Sequence, residues 1–346
     1  MPLFFNALEA AAHRLSVVPP MLDYFGVLGL HALVAAARTG VFDALRRRPS
    51  TGAELAATLG LDPYSSDTLL RSLAGLGYLR VRGGRYRLTR AARLWFTTDS
   101  PQSLVAGLEF WERTACVIWP RLESAVRDGA PATPFYELLE SDPELSRSFQ
   151  AWTAALAGRQ APAVARAVPV PRGARRVLDV GGGHGRFSLE LLRRHPRLHA
   201  TVLDLPQALK ATADHPRLST RAGSFLDGEL GDGYDLALVF NILHGLDDAE
   251  ASALLERVAA ALNPGGTVVV GDQFGDGVMP GRASRTLLHL LNLNHLVTTG
   301  GRVRGFREVS ELLRAAGFHA PRRRRPLRSV PTELALASLA TPRGAR

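Results

Sequence analysis

VLDVGGGHGRF, Val177 to Phe187, decides the fold. An apolar strand runs into Gly181, Gly182, Gly183 and Gly185, and the helix pattern FSLELLRRH follows. Glycines at such a junction let the backbone turn sharply and bring a ligand against the helix N-terminus. Dinucleotide folds hold a pyrophosphate with G-x-G-x-x-G, whereas Gly181, Gly183 and Gly185 form G-x-G-x-G behind Asp179. A carboxylate there suits a cationic ligand better than a diphosphate. The next strand ends VLDL, and its Asp204 lies about 20 residues after the glycines, where an acid can accept both hydroxyls of a ribose. A glycine-rich turn alone is common; strand, acid, spaced glycines, helix, strand and second acid in order are specific.

Downstream the alternation continues. HATVLDL, YDLALVF and GTVVVGDQF read as strands and AEASALLERVAAAL as a helix, so residues 171–346 are expected to form a Rossmann-like, doubly wound parallel sheet, an α/β domain. Upstream, residues 101–170 read as helix, a linker expected to contribute to a substrate pocket. Within SRSFQAWTAALAGRQ, Phe149, Trp152 and Leu156 share one face and Arg159 continues the stripe, a pattern that is ordinarily core. Residues 1–100 are expected to be an all-α winged-helix domain. Thr51 caps a helix with Glu54 three residues on, Ser66 opens a second with Leu69, Leu70, Leu73 and Leu76 on one face, and GYLRVRGGRYRL is a hairpin turning at Gly83-Gly84. Winged helices bind DNA or serve as packing scaffolds, and fold alone does not choose. The apolar segment before it, with Leu28, Leu30, Leu33, Val34 and Val41, favours a scaffold buried against a second copy, a homodimer.

The 346 residues, 46% apolar and 21% charged, are those of a soluble globular protein large enough for two cores. The single Cys116 excludes an intramolecular disulfide framework and a cysteine-rich metal site, and fits a reducing cytoplasm. No apolar run approaches the ~18–20 residues that span a bilayer, and MPLFFNALEAAAHRL lacks the order of a signal peptide, so a cytoplasmic chain without a membrane partner is expected. The net charge of +10 comes almost wholly from scattered arginines. Apart from Arg46–Arg48 and Arg322–Arg325 they interleave with acids, which speaks against nucleic acid as a partner.

With these motifs in order, the chain resembles the S-adenosylmethionine-dependent O-methyltransferases of the plant caffeate and bacterial polyketide or phenazine type. The resemblance runs from the winged helix at 17–96 through VLDVGGGHGRF, VLDLP, GSFLD, ILHGLDD and LNPGGTVVVGDQF to GGRVRGFREVSELLRAAGF. It implies S-adenosyl-L-methionine as cofactor, dimerisation through the N-terminal domain and a small aromatic substrate. It places Gly181 and Gly183, with Asp179, along the methionine portion, Asp204 on the ribose, and Leu205, Ser224 and Phe225 around the adenine. Phe240 and Asn241, at the end of the strand before the histidine, are assigned to the cofactor too, and Arg159 falls where bacterial relatives set an arginine against the cofactor carboxylate. Plant members carry Asp where this chain has Ser224.

In FNILHGLDD, His244 closes the strand YDLALVFNIL and so reaches the carboxyl edge of the sheet. The resemblance makes it the general base that takes the substrate hydroxyl proton, work suited to an imidazole. The competing reading is a loop histidine that caps the next helix, where Asp247 or Asp248 is the better cap. Relatives read His-Asp-Trp-x-Asp; this chain has Gly245 and Leu246 after the histidine. Asp272 matches one of two acids that orient the base, and Val303 stands where many members carry the other. TLLHLLNLNHLV, 286–297, resembles the substrate wall, with Leu290, Leu293, Asn294 and Thr298 at matching positions; Phe149 and Trp152 are assigned to the substrate as well. His289 and His295 are six apart with no acid nearby in sequence, so no metal is expected. The expected reaction is O-methylation of a phenolic or enolic hydroxyl of an aromatic secondary metabolite. The alternatives are a relative that keeps its cofactor for hydroxylation, decarboxylation or pericyclic chemistry, and a DNA-binding regulator.

Overall fold

A computed structural model describes residues 19–277, 281–326 and 332–341. The chain forms two compact units: residues up to Val117 together with Glu144–Ala155, and Ile118–Pro143 together with Leu156 onward. The stretch 101–170, read above as one linker, is thus shared between them, and the long helix Pro143–Ala167 belongs to both.

In the first unit the helix Pro19–Arg38 is followed by Val41–Arg47, Gly52–Leu59 and Pro63–Gly75. Strands β1 (Leu79–Arg82) and β2 (Arg85–Leu88) then form an antiparallel hairpin. Gly83 and Gly84 both take positive φ, 57° and 70°, as a tight two-residue turn demands. Thr51 and Glu54 form the reciprocal capping box read from sequence. The second helix, however, opens at Asp62 rather than Ser66: the Asp62 side chain accepts the Ser65 amide at 2.8 Å and Pro63 presets the first helical φ. Ser66 is instead buried in the first turn's wake, while Leu70 and Leu73 fill the core. Leu33, Val34 and Val41 are core residues too, so the exposed apolar face of the first helix consists of Tyr24, Phe25, Val27 and Leu28. Helix Val105–Arg113 packs Phe110 on Phe149 and Trp111 edge-on against Trp152, with ring centroids 5.5 and 5.0 Å apart.

The second unit is built on seven strands: β3 (Arg176–Val180), β4 (His199–Asp204), β5 (Leu218–Ala222), β6 (Tyr234–Phe240), β7 (Leu262–Gln273), β8 (Phe318–Arg324) and β9 (Thr332–Leu339). Their order is β5-β4-β3-β6-β7-β9-β8. The first five are parallel, and β9 runs antiparallel to both neighbours. The sequence reading lacks β5, β8 and β9, and the sheet is mixed rather than wholly parallel. Helices cover both faces. Asp248–Ala261 and Phe306–Ala315 pack on one through Leu254, Leu255, Val258, Val309 and Leu313. Arg186–Arg194 and the end of the long helix pack on the other through Leu191, Leu192, Ala161 and Val164. Central strands buried on both sides explain the near-continuous apolar runs VLDV and YDLALVF, each broken by a single aspartate. Among the described residues no single helix is long and apolar enough to cross a membrane.

Candidate active site

The chain leaves β3 toward β4 and β5 on one side and reaches β6 and β7 on the other. Their neighbouring carboxyl ends flank the crevice where open α/β sheets bind ligands. The glycine loop follows β3, Asp204 ends β4, His244 follows β6 and Asp272 lies near the end of β7.

In the glycine loop, Gly181, Gly183 and Gly185 all have positive φ, between 47° and 67°. A Cβ on Gly182 would stand 2.5 Å from the Asp179 carboxyl carbon, so the acid packs directly beneath the loop. Its Oδ2 accepts the Ser188 hydroxyl at 2.6 Å, whereas Oδ1 is buried without a hydrogen-bond partner among the described residues. Burial, with the Asp204 charge adding to it, pushes Asp179 up to about 7 against the opposing Ser188 bonds. The acid lies beneath the loop rather than on its open side, where a cation bound over the loop would favour its ionised form. Asp204 is tied down by the Gly183 amide on Oδ2 (2.8 Å) and the Leu205 amide on Oδ1 (2.7 Å). Each oxygen keeps a second lone pair for a diol. Burial raises the Asp204 pKa and those two bonds oppose it. The side chains beneath the sheet edge thus fit a nucleoside with a cationic tail.

Ser224 and Phe225 begin the loop after β5. The Ser224 hydroxyl accepts the Leu226 amide at 3.1 Å, and Phe225 is buried against the place where a Gly181 side chain would be. Arg257, which sequence reading passed over, holds this loop by donating to the carbonyls of Phe225, Leu226 and Gly228. Tyr136, which is 45% exposed overall, lies near Asp204, and the desolvation of its hydroxyl first and that charge second raise its phenol pKa. The Phe240 ring lies in the core, edge-on to Phe187 at 4.7 Å and over Gly271, which leaves only its backbone for a ligand. Asn241 takes φ 56°, one of two non-glycine residues with positive φ among those described, and its amide donates to the Gly271 carbonyl at 2.8 Å. Strained backbone of this kind persists where the surroundings hold it, often at sites. Arg159 is half-buried on the part of the long helix that joins the sheet unit, and burial lowers its pKa.

His244 lies in the short helical turn Leu243–Gly245. Its Nδ1 is 2.7 Å from Asp272 Oδ1, and its amide donates to Asp272 Oδ2 at 3.1 Å. An ionised carboxylate only accepts, so Nδ1 carries the proton, and in the neutral ring Nε2 holds the lone pair. Burial lowers the His244 pKa, the Asp272 charge and bond raise it more, Arg304 opposes, and the net shift is upward. Asp247 and Glu250 form a complete capping box on the next helix, so the capping role proposed as the alternative for His244 is filled. Val303 is buried and its amide donates to Asn292 Oδ1 at 2.9 Å; it brings no acid to His244. Beneath the histidine turn Arg304 is buried and donates to the carbonyls of Leu243 and Leu246 and to Asp248.

Helix Arg282–Thr299 carries the remaining residues. Asn294 accepts the Trp119 indole N–H at 3.3 Å, Thr298 is buried, Leu293 is half-buried and Leu290 is exposed. His295, set aside in the sequence for want of an acid, stacks on His244 with ring centroids 4.3 Å apart and feels the Asp272 charge. Among the described residues no three His, Cys, Asp or Glu are grouped to hold a metal. Phe149 and Trp152 belong to the other unit, packed as described above.

The family model for the O-methyltransferase domain matches residues 119–319, and that for the O-methyltransferase dimerisation domain matches 24–98. The 3-hydroxy-5-methyl-1-naphthoate 3-O-methyltransferase of Streptomyces sahachiroi is 32% identical over 310 residues, 84% of this chain and 86% of that one. The O-demethylpuromycin-O-methyltransferase of Streptomyces alboniger is 30% identical over 325 residues, 90% of this chain and 86% of that one. The crystal structure of human N-acetylserotonin methyltransferase in complex with S-adenosylmethionine superposes with a TM-score of 0.81 at 27% identity, covering 95% of this chain and 98% of that one. With a fold, a cofactor-type crevice and a family model that spans most of its length all in agreement, the chain belongs to the S-adenosylmethionine-dependent O-methyltransferases.

Proposed function

We propose that this enzyme methylates a phenolic or enolic hydroxyl of an aromatic secondary metabolite, with His244 as general base. The observation that carries the reading is the 2.7 Å pair between His244 Nδ1 and Asp272, which fixes the ring's direction and, in the neutral imidazole, gives the lone pair to Nε2. S-adenosylmethionine supplies an electrophilic methyl group on a sulfonium. The chain's share is to hold and deprotonate. The glycine loop, with Asp179 beneath it, would receive the cationic end, Asp204 the ribose hydroxyls, and Leu205, Ser224, Phe225 and the Asn241 backbone the adenine side. Arg159 would take the carboxylate. Nε2 of His244 accepts the hydroxyl proton as the oxygen becomes the nucleophile, and Asp272 stabilises the imidazolium that results. Leu290, Leu293, Asn294 and Thr298 would line the acceptor side, since their helix also brings His295 to the base. The roles given to Phe149 and Trp152 rest on the resemblance alone, as does dimer formation beyond the presence of the dimerisation domain.

His244→Gln tests the base. It should lower methyl transfer ~10²–10⁴-fold while calorimetry finds S-adenosylhomocysteine binding unchanged. A transfer rate within threefold of wild type would remove His244 from the role. Val303, in place of an acid, keeps a second reading alive in which the cofactor is not consumed. Substrate conversion with S-adenosylhomocysteine bound, and no methylated product, would decide for it.

A further inference from the structure

Arg304 is buried, yet the acid it bonds, Asp248, has a side chain that is 67% exposed. Its terminal nitrogens donate to the Leu243 carbonyl, to the Leu246 carbonyl at 2.9 Å and to Asp248 at 2.7 Å, while Nε is buried without a partner among the described residues. The two carbonyls bracket His244 and Gly245, so the fork grips the turn on both sides of the histidine. The Arg304 backbone reaches the other way: its carbonyl accepts the amide of Gly275 at 3.0 Å, three residues after Asp272. One residue therefore ties the turn that carries His244 to the segment that carries Asp272, the two halves of the 2.7 Å pair. A neutral amide could bond two carbonyls as well, and a cation taken out of water with a surface acid as its counter-charge is a costly substitute. The charge makes sense if the pair uses it.

We infer that Arg304 is a positioning residue for His244: its guanidinium clamps the turn that carries the imidazole onto the segment that carries Asp272, and it sets a buried cation beside the pair. The inference rests on the reading of His244 as the base. The charged and titratable groups around His244 are Asp272 on β7, His295 stacked on it from helix Arg282–Thr299, and Arg304 with its partner Asp248. Burial first, then the His244 charge, push His295 down to about 3 against the pull of Asp272, so that ring stays neutral. At His244 burial disfavours the imidazolium most; of the charges, Asp272 favours it and Arg304 disfavours it. An imidazole under Asp272 alone would keep its proton to higher pH and accept less readily near neutrality. Arg304 limits that effect, and its fork holds the ring where Nδ1 meets the carboxylate.

The test titrates His244 by NMR in the full chain, labelled with carbon-13 at histidine Cε1 and bound to S-adenosylhomocysteine, with the His244→Gln spectrum assigning the signal. Arg304→Gln keeps a donor but no cation and should raise the midpoint by ~0.5 unit or more, whereas Asp248→Asn, which removes the arginine's counter-charge, should lower it. Arg304→Lys keeps the charge but has no fork for two carbonyls. Its midpoint should stay, and its methyl transfer to 2-naphthol should fall ~10-fold or more, as from a small displacement of a positioned group. Calorimetry should find S-adenosylhomocysteine affinity within about twofold of wild type in all three. An arginine that only closed the turn would leave the midpoint at its wild-type value in Arg304→Gln and Asp248→Asn, and that result overturns the inference; so does Arg304→Lys with transfer intact. Asp248 is exposed, so its variant reads the charge even if Arg304→Gln unfolds, and the titration needs no acceptor, so it decides even where 2-naphthol is not turned over. Failure of the base reading shows elsewhere: His244→Gln would transfer methyl at the wild-type rate while the midpoints still moved.

Discussion

At the scale of the residue, Asp272 decides what His244 can do. The carboxylate lifts the His244 pKa above 6.5, and the histidine in turn lowers that of Asp272 below 3.8 against the cost of burial. Only neutral His244 is a base, so kcat/KM should fall as pH drops through a value above 6.5. Asp272→Asn leaves the downward push of burial unopposed; the acid limb should move to lower pH and the plateau fall ~10-fold or more. A pH–rate profile of the variant with an unmoved limb would show that another group titrates. The pair also stabilises the fold in a bounded window. The depressed Asp272 contributes above 3.8 and loses its share as pH falls through its folded value. The raised His244 contributes below 6.5 and loses its share as pH rises through its own folded value. Asp179 carries a second pH signature. With its pKa near 7, cofactor affinity should rise as pH passes upward through neutrality, since only the ionised acid pairs with a cation. Calorimetric titrations at pH 6 and 8 that give equal affinities would disconnect Asp179 from the ligand. Of this candidate site, the placement of His244, Asp272, Asp179 and Asp204 at the carboxyl edge of the sheet was legible, because each lies at or just past the end of a strand that its apolar run announces. His295 was not, because its acid arrives from β7, far off in sequence, and helical spacing says nothing of what a side chain meets across a crevice.

At the scale of the element, the loop that carries His244 is held by a close backbone approach. A Cβ on Gly301 would stand 2.1 Å from the His244 carbonyl oxygen and 2.8 Å from the Gly245 carbonyl carbon. Backbone atoms do not yield as flexible side chains do, so the turn Leu243–Gly245 or the segment after helix Arg282–Thr299 must shift. Gly301→Ala should therefore slow methyl transfer ~10-fold or more while cofactor affinity stays within twofold, because a displacement of about 1 Å at a positioned group is enough to cost ~10²-fold. A variant with unchanged kcat would mean that the two segments part without disturbing the base. The elements themselves were unevenly readable. The capping box at Thr51 and the glycine hairpin announce themselves through local chemistry. The terminal strands do not: FHAPRRR, which forms β8, mixes a proline with exposed arginines and a register shift at the positive φ of Ala320. TELALASL, which forms β9, is almost wholly buried on both faces and lacks the alternation that marks a strand. Its place between β7 and β8 is a matter of long-range pairing, which a local pattern cannot encode.

At the scale of the whole molecule, the apolar content of the first two helices was legible but its division between core and surface was not. Leu33, Val34 and Val41, read as partner-facing, fill the first unit's own core, because Phe42, Leu55, Leu70 and Leu73 surround them. What remains outside is Tyr24, Phe25, Val27 and Leu28, exposed by 60, 45, 47 and 45%. Four large apolar side chains within one and a half turns form a patch of the kind a soluble monomer rarely leaves to water. The dimerisation-domain match over residues 24–98 begins on this same patch. We expect a homodimer in solution that closes through this helix. Phe25→Asp combined with Leu28→Asp should convert it to monomer, since burying two unpaired carboxylates across an interface is strongly unfavourable. Both positions are exposed within the chain, so the substitutions leave its own core intact and the melting curve of the sheet unit should keep its midpoint. Light scattering at micromolar concentration reads the outcome directly: a wild type of 37.3 kDa would end the dimer assignment, and a double variant that stays twice that mass would move the interface to another face.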